Sequence, residues 1–237
     1  MPPHQLDEFL AGVTRDEGWA GLSVTAPHKE ALLDAGEPDH VARLVRSGNT
    51  LVLGETPTVH NTDVPGFVRA WRRRSGEVIR SAVVVGNGAT ARSILVALAG
   101  LETQRVTLLA RRPERAAEAL ELGRALGMDT RIQPLEFDPG EVDLVASTIP
   151  APATAEHAAR WAADARALFD AVYHPWPTPL GQAATPDHVL VTGLDLLAGQ
   201  AVDQFHLLTG ASITFDQAFE AASAELARRH PDRAWTH

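Results

Sequence analysis

Apolar residues in this chain follow two rhythms. After Arg80, short runs rich in β-branched residues alternate with longer stretches whose apolar positions recur every three or four residues. That is the pattern of a parallel sheet covered by helices. The first run, Ser81 to Val85, is followed by a predicted helix over Ala89 to Leu101, a strand over Val106 to Ala110, and a helix over Pro113 to Leu126 with proline in its first turn. Asp143 to Ser147, Ala167 to Val172 and Val189 to Val191 continue as strands. The unbroken run Ala82-Val83-Val84-Val85 suits a strand buried on both faces.

Before Arg80 the pattern predicts a second α/β unit. A strand at Leu22 to Thr25 is followed by helices over Lys29 to Asp34 and His40 to Arg46, and a strand at Leu51 to Leu53. Helical spacing over Asp63 to Arg74 ends in the polar joint Arg72-Arg73-Arg74-Ser75-Gly76, where a boundary between units is expected. After Gly193 only helical spacing remains, through Leu194, Leu197, Val202, Phe205 and Leu208, and such a helix pair is expected to pack back on the first unit. Two domains follow: residues 1–75 together with 194–237, and residues 76–193.

Composition narrows the function classes. With 237 residues, 45% of them apolar and 22% charged, the chain can bury a sizeable core. A formal net charge of -9 gives no basic footprint for nucleic acid. The absence of cysteine excludes disulfides, thiolate metal sites and cysteine catalysis, and no metal centre is expected. The N-terminal segment has neither a basic flank nor a long apolar run, and no stretch reaches the roughly 18 apolar residues of a membrane span. A cytoplasmic protein acting on a small molecule, as a monomer or homodimer and away from membranes, is the expectation.

Gly86-Asn87-Gly88-Ala89-Thr90-Ala91 matches G-x-G-x-x-A between a strand and a helix, the context of a Rossmann-like dinucleotide site. Gly86 permits a tight turn, Gly88 lets backbone approach a pyrophosphate, and the helix from Ala89 offers its N-terminal amides to negative charge. A glycine turn without ligand is the plainer alternative. An NAD site usually carries Asp or Glu about 20 residues on, at the tip of the next strand. Here that strand runs into Ala110-Arg111-Arg112-Pro113-Glu114-Arg115, so Arg111 and Arg115 form a cationic fork suited to a 2′-phosphate, and NADP is favoured. The plainer reading is a solvated basic helix start.

Three polar groups precede this region: Thr25 to Lys29 at a strand end, Ser47-Gly48-Asn49-Thr50, and His60-Asn61-Thr62-Asp63. Singly, Lys29 reads as a surface charge, Asn49 as a turn residue and Asp63 as an N-cap. In order along the chain they join the glycine loop, the arginines, Asp170-Ala171-Val172-Tyr173-His174-Pro175-Trp176-Pro177-Thr178-Pro179-Leu180, and Gly193 to Gln200. This series resembles the shikimate dehydrogenase family over nearly the whole chain.

The resemblance implies a Rossmann-like NADP-binding domain with a smaller α/β substrate domain, and reversible reduction of 3-dehydroshikimate to shikimate. It implies Lys29 as the catalytic lysine and Asp63 as its partner, and Thr25, Asn49, Tyr173 and Gln200 around the substrate ring. It also implies Gly86, Asn87, Gly88, Ala89, Thr90, Arg111, Arg115, Thr148 and Gly193 on the cofactor side. Ser23 and Ala110 replace common asparagines, and Ser147 to Ala151 departs from the usual N-A-T-P. The family's opening strand, and the S-x-S motif whose serine hydroxyls bind the substrate carboxylate, have no counterpart; the resemblance begins near the family's second helix, at Pro3 to Val13, so the substrate domain reads as incomplete and residues upstream of Met1 are expected. A relative acting on quinate or another cyclic polyol acid, and a non-catalytic NADP-binding module, stand as alternatives.

Overall fold

Among the described residues, the chain folds around two sheets, one of four strands and one of six. The computed structural model describes residues 6–13 and 18–230, so part of the 3–13 helix and the last seven residues lie outside the described residues. The first unit comprises α1 (Leu6–Val13), β1 (Gly21–Ser23), β2 (Glu37–Pro38), α2 (His40–Val45), β3 (Thr50–Val52) and β4 (Thr58–His60). Its strands lie in the order β1-β3-β4-β2, antiparallel except where β2 runs parallel to β4. Leu6, Leu10, Leu32, Ala42, Leu51 and Val59 form a separate small core there. α3 (Asp63–Arg74) then leads to the larger sheet.

That sheet contains β5 (Ser81–Val85), β6 (Arg105–Leu109), β7 (Asp129–Gln133), β8 (Val142–Ser147), β9 (Ala165–Asp170) and β10 (Val189–Thr192). It is parallel throughout, in the order β10-β9-β8-β5-β6-β7. Between the strands run α4 (Ala89–Gly100), α5 (Ala117–Ala125), α6 (Ala158–Ala162) and α7 (Pro179–Gln182), and α8 (Gly193–Thr209) and α9 (Phe215–Arg229) follow the last strand. Successive side chains of a strand face opposite sides, so Ala82 and Val84 join one core with Ile94, Phe67 and Phe169, while Val83 and Val85 join another with Trp161 and Leu168. Phe67 of α3 meets Phe169 of β9 edge to face, with ring centroids 5.0 Å apart. Burying each such ring contributes about 1.5–3 kcal/mol.

Several elements differ from the sequence expectations. The helix predicted over Lys29 to Asp34 is a 3-10 turn over Ala31–Ala35. The helix predicted over Pro113 to Leu126 is a 3-10 turn, Pro113–Arg115, and then α5, separated by Ala116 at φ -96°, ψ 9°. β9 stops at Asp170 rather than Val172, because the Asp170 carboxylate accepts the Val172 backbone N–H at 3.0 Å. β2, β4 and β7 were not expected, since Thr58–His60 and Asp129–Gln133 are short and largely polar. Among the described residues no helix is long and apolar enough to cross a membrane.

Candidate active site

Strand order reverses between β5 and β8, and open α/β sheets bind ligands outside the strand ends at such a point. The glycine loop lies there. Gly86 has φ +114°, which side chains rarely adopt, and a Cβ on it would stand 2.4 Å from Thr148 Oγ1. A Cβ on Gly88 would meet nothing within 4 Å, so the backbone there is open to a ligand. Thr148 buttresses the loop, its Oγ1 donating to the Val85 carbonyl at 2.8 Å. Asn87 Nδ2 donates to the Arg115 carbonyl at 2.7 Å, tying the loop to the basic stretch.

Beside the loop lies a cavity of about 310 Å³ lined by Gly86, Asn87, Arg111, Arg112, Arg115 and the apolar Leu135, Ile149 and Pro150. All three arginines are exposed, and none forms an ion pair among the described residues. Three unneutralised guanidinium groups at one rim suit a phosphate. The glycine turn, the open Gly88 backbone and this rim together fit a phosphorylated dinucleotide. Arg112 is an addition to the pair expected from sequence.

A second cavity, about 240 Å³, opens between the two sheets and is lined by Thr25, Lys29, Asn49, Asp63, Thr90, Tyr173, Gly193 and Gln200 among others. Six residues expected around the substrate therefore share one wall system, joined by Thr90 and Gly193 from the cofactor set. Lys29 Nζ donates to Asp63 Oδ2 at 2.5 Å, with the two side chains 13% and 4% exposed. The surface-charge reading of Lys29 is thereby corrected: the ammonium is drawn inward by a buried carboxylate. Asp63 is not a cap either. Thr62 occupies the N-cap position of α3, and Asn61 Oδ1 accepts the Asp63 and Val64 backbone N–H groups at 3.2 and 3.4 Å.

The Asp63 carboxylate is held from its other side. Asn49 Nδ2 donates to Asp63 Oδ1 at 3.0 Å, to Thr62 Oγ1 at 3.0 Å and to Gln200 Oε1 at 3.2 Å, more acceptors than an amide has hydrogens. Asn49 Oδ1 accepts the Thr62 backbone N–H at 2.9 Å. Asn49 is thus an organiser of the acid rather than a turn residue. Gln204, one helical turn beyond Gln200, donates to the Asn49 carbonyl at 3.0 Å and to Thr50 Oγ1 at 2.9 Å, and accepts from Ser23 Oγ at 3.1 Å. Ser93 and Gln204 were missed from sequence, where the i,i+4 spacing of Gln200 and Gln204 was the one signal for the latter, while Asn61 and Thr62 stood in the His60 to Asp63 group without a role of their own.

α8 reaches this cluster because α3 and α8 touch through glycines. A Cβ on Gly199 would lie 2.3 Å from the Gly66 carbonyl oxygen. The start of α8 is fixed by a capping box, Thr192 with Asp195, and buried Asp195 pairs with Arg74 of α3 at 2.8 Å. On the third side, Tyr173 is 41% exposed at the mouth of the cleft. Its loop is anchored by buried Asp170, whose carboxylate accepts from Thr178 Oγ1 at 2.7 Å. Burial pushes the Asp170 carboxyl up to about 6, against the opposing hydrogen bonds from Thr178 and Val172.

Geometry of this kind has counterparts. No family model matches the chain. A shikimate dehydrogenase (NADP(+)) of Natronomonas pharaonis is 32% identical over 233 residues, covering 94% of this chain and 84% of the relative. The crystal structure of Mycobacterium tuberculosis shikimate dehydrogenase superposes with a TM-score of 0.80 at 34% identity, over 94% of this chain and 85% of that one. Quinate dehydrogenase from Corynebacterium glutamicum in complex with NAD superposes with a TM-score of 0.78 at 26% identity, over 91% of this chain and 81% of that one. Sequence identity sustained across both sheets, on a shared α/β architecture, makes this chain a member of the shikimate dehydrogenase family of oxidoreductases.

Proposed function

We propose that the chain reversibly reduces 3-dehydroshikimate to shikimate with NADPH, in the synthesis of aromatic amino-acid precursors. The observation that carries this reading is the contact of Lys29 with Asp63, 2.5 Å long, in the wall of a cleft sized for a small ring. The same reading assigns residues 1–75 and 194–237 to substrate binding, residues 76–193 to NADP, and the protein to the cytoplasm as a monomer or homodimer.

When bound, NADPH supplies a hydride to the carbonyl carbon of the substrate. The carbonyl oxygen then gains charge, which the Lys29 ammonium stabilises and neutralises by giving up a proton from Nζ. Asp63 aims that ammonium, and Asn49 and Gln200 hold Asp63 and its helix in place. Lys29, partly exposed at the mouth, recovers its proton from water. Thr25 and Tyr173 stand on the walls where ring hydroxyls would bind, and Gly88 and the arginine rim would hold the cofactor phosphates.

A second reading, oxidation of quinate with NAD, draws support from the likeness to quinate dehydrogenase. The unpaired arginines favour NADP over NAD. A non-catalytic NADP-binding module gives no reason for a Lys–Asp pair in the cleft. Initial rates of shikimate and quinate oxidation, each with NADP+ and NAD+, test the choice. Shikimate with NADP+ is expected to give the highest kcat/KM; a higher value for quinate with NAD+ would overturn the proposal.

A further inference from the structure

We infer that Arg92 is a positioning residue that couples occupancy of the glycine loop to the placement of Lys29, an inference that rests on the substrate reading above. Arg92 stands in the first turn of α4, two residues beyond Thr90, which lines the cleft. A cation there opposes the helix dipole, so helix stability gives no reason for it. Its side chain is only 5% exposed, and a guanidinium leaves water only for good partners.

Most of those partners belong to the small sheet's unit. Nε donates to the Val45 carbonyl at 2.8 Å and Nη2 to the Arg46 carbonyl at 3.4 Å, so the guanidinium satisfies carbonyls at the end of α2, the negative pole of that helix. Nη2 also donates to Glu30 Oε1 at 2.6 Å, and Nη1 lies 3.6 Å from Glu118 Oε2. Glu30 directly follows Lys29, whose carbonyl accepts the Gly48 backbone N–H at 2.8 Å. The next residue, Ser93, accepts from Asn61 Nδ2 at 3.1 Å, and Asn61 holds the start of α3.

The first turn of α4 is therefore fastened to both segments that supply the reacting pair: to Lys29 through Glu30, and to Asp63 through Asn61. The opposite side of that turn is the anion-binding end of the helix. A ligand that seats against Gly88 fixes α4, and Arg92 carries that restraint across the cleft. Misplacement of a reacting group by about 1 Å costs on the order of a hundredfold in rate, so the restraint matters.

Calorimetric titration of shikimate into the protein, with and without saturating NADPH, tests this; both compounds are reduced, so no reaction intervenes. NADPH is expected to tighten shikimate binding by about fivefold or more in the unaltered protein. Arg92→Lys keeps the charge and loses the planar fork, and the ratio is expected to fall towards one while NADPH affinity itself stays nearly unchanged. Glu30→Gln, at a side chain 61% exposed, provides a second variant that folds if the first does not, and its ratio is expected to fall as well. An unaltered protein without coupling, or variants that keep the original ratio, would overturn the inference alone. A loss of affinity for both ligands in step with Tm would also overturn it, as the mark of a merely structural residue. No shikimate binding to the unaltered protein would overturn the substrate reading itself.

Discussion

Replacing Gly199 by alanine tests how the site is assembled. The added Cβ would stand 2.3 Å from the Gly66 carbonyl oxygen and 3.1 Å from the Gly66 Cα. Both neighbours are backbone, so neither can rotate away, and ordinary contact requires α3 and α8 to part by about 1 Å at this point. Gln200 is the next residue, and its Oε1 is held at 3.2 Å by both Asn49 Nδ2 and Thr62 Oγ1. Displacement on that scale takes both contacts beyond hydrogen-bonding range. Overpacking of this kind costs about 1–3 kcal/mol, which for a chain of this size lowers Tm by roughly 2–12 °C. Thermal melting should show that shift, and steady-state rates should show a lower kcat/KM because Asp63 loses its support. A Gly199→Ala protein with unchanged Tm and kcat/KM would refute the claim that glycine contact sets the position of Gln200.

Two further outcomes follow from the geometry. Asp170 is raised in the folded state from 3.8 to about 6, so its contribution to stability is fully present below pH 3.8 and is lost as pH rises through about 6. Relative to Asp170→Asn, the native protein should therefore lose on the order of 3 kcal/mol between about pH 4 and pH 7, measured by urea unfolding at several pH values; a flat difference would contradict the assignment. Replacing Arg111 and Arg115 together by alanine should raise the KM for NADPH about tenfold or more and leave that for NADH nearly unchanged, because only the former carries a 2′-phosphate. Equal losses for both cofactors would show that these arginines do not read that group.

The larger sheet was legible because burial on both faces leaves an unambiguous run such as Ala82 to Val85, and because a glycine loop between strand and helix is the mark of a phosphate-binding turn. The pair Lys29 and Asp63 was legible only through the order of motifs; nothing in either local sequence announces a partner 34 residues away. β4 escaped notice because Thr58, Val59 and His60 offer a single buried side chain, and β7 because Asp129, Arg131 and Gln133 make an edge strand look like a loop. The Gly66 and Gly199 contact was hidden for a different reason. Isolated glycines inside helical patterns read as weak points, and only the crossing of two helices turns them into a requirement.

The role given to the Lys29 ammonium is tested most directly by Lys29→Met, assayed where circular dichroism shows the variant folded, since Asp63 would be left buried without its counter-ion. Loss of the group that gives up a proton in reduction, and takes the hydroxyl proton in oxidation, should lower kcat for shikimate oxidation by about 10²- to 10⁴-fold, with NADPH binding nearly intact by fluorescence titration. A folded variant whose kcat stays within about threefold of the native value would contradict the account.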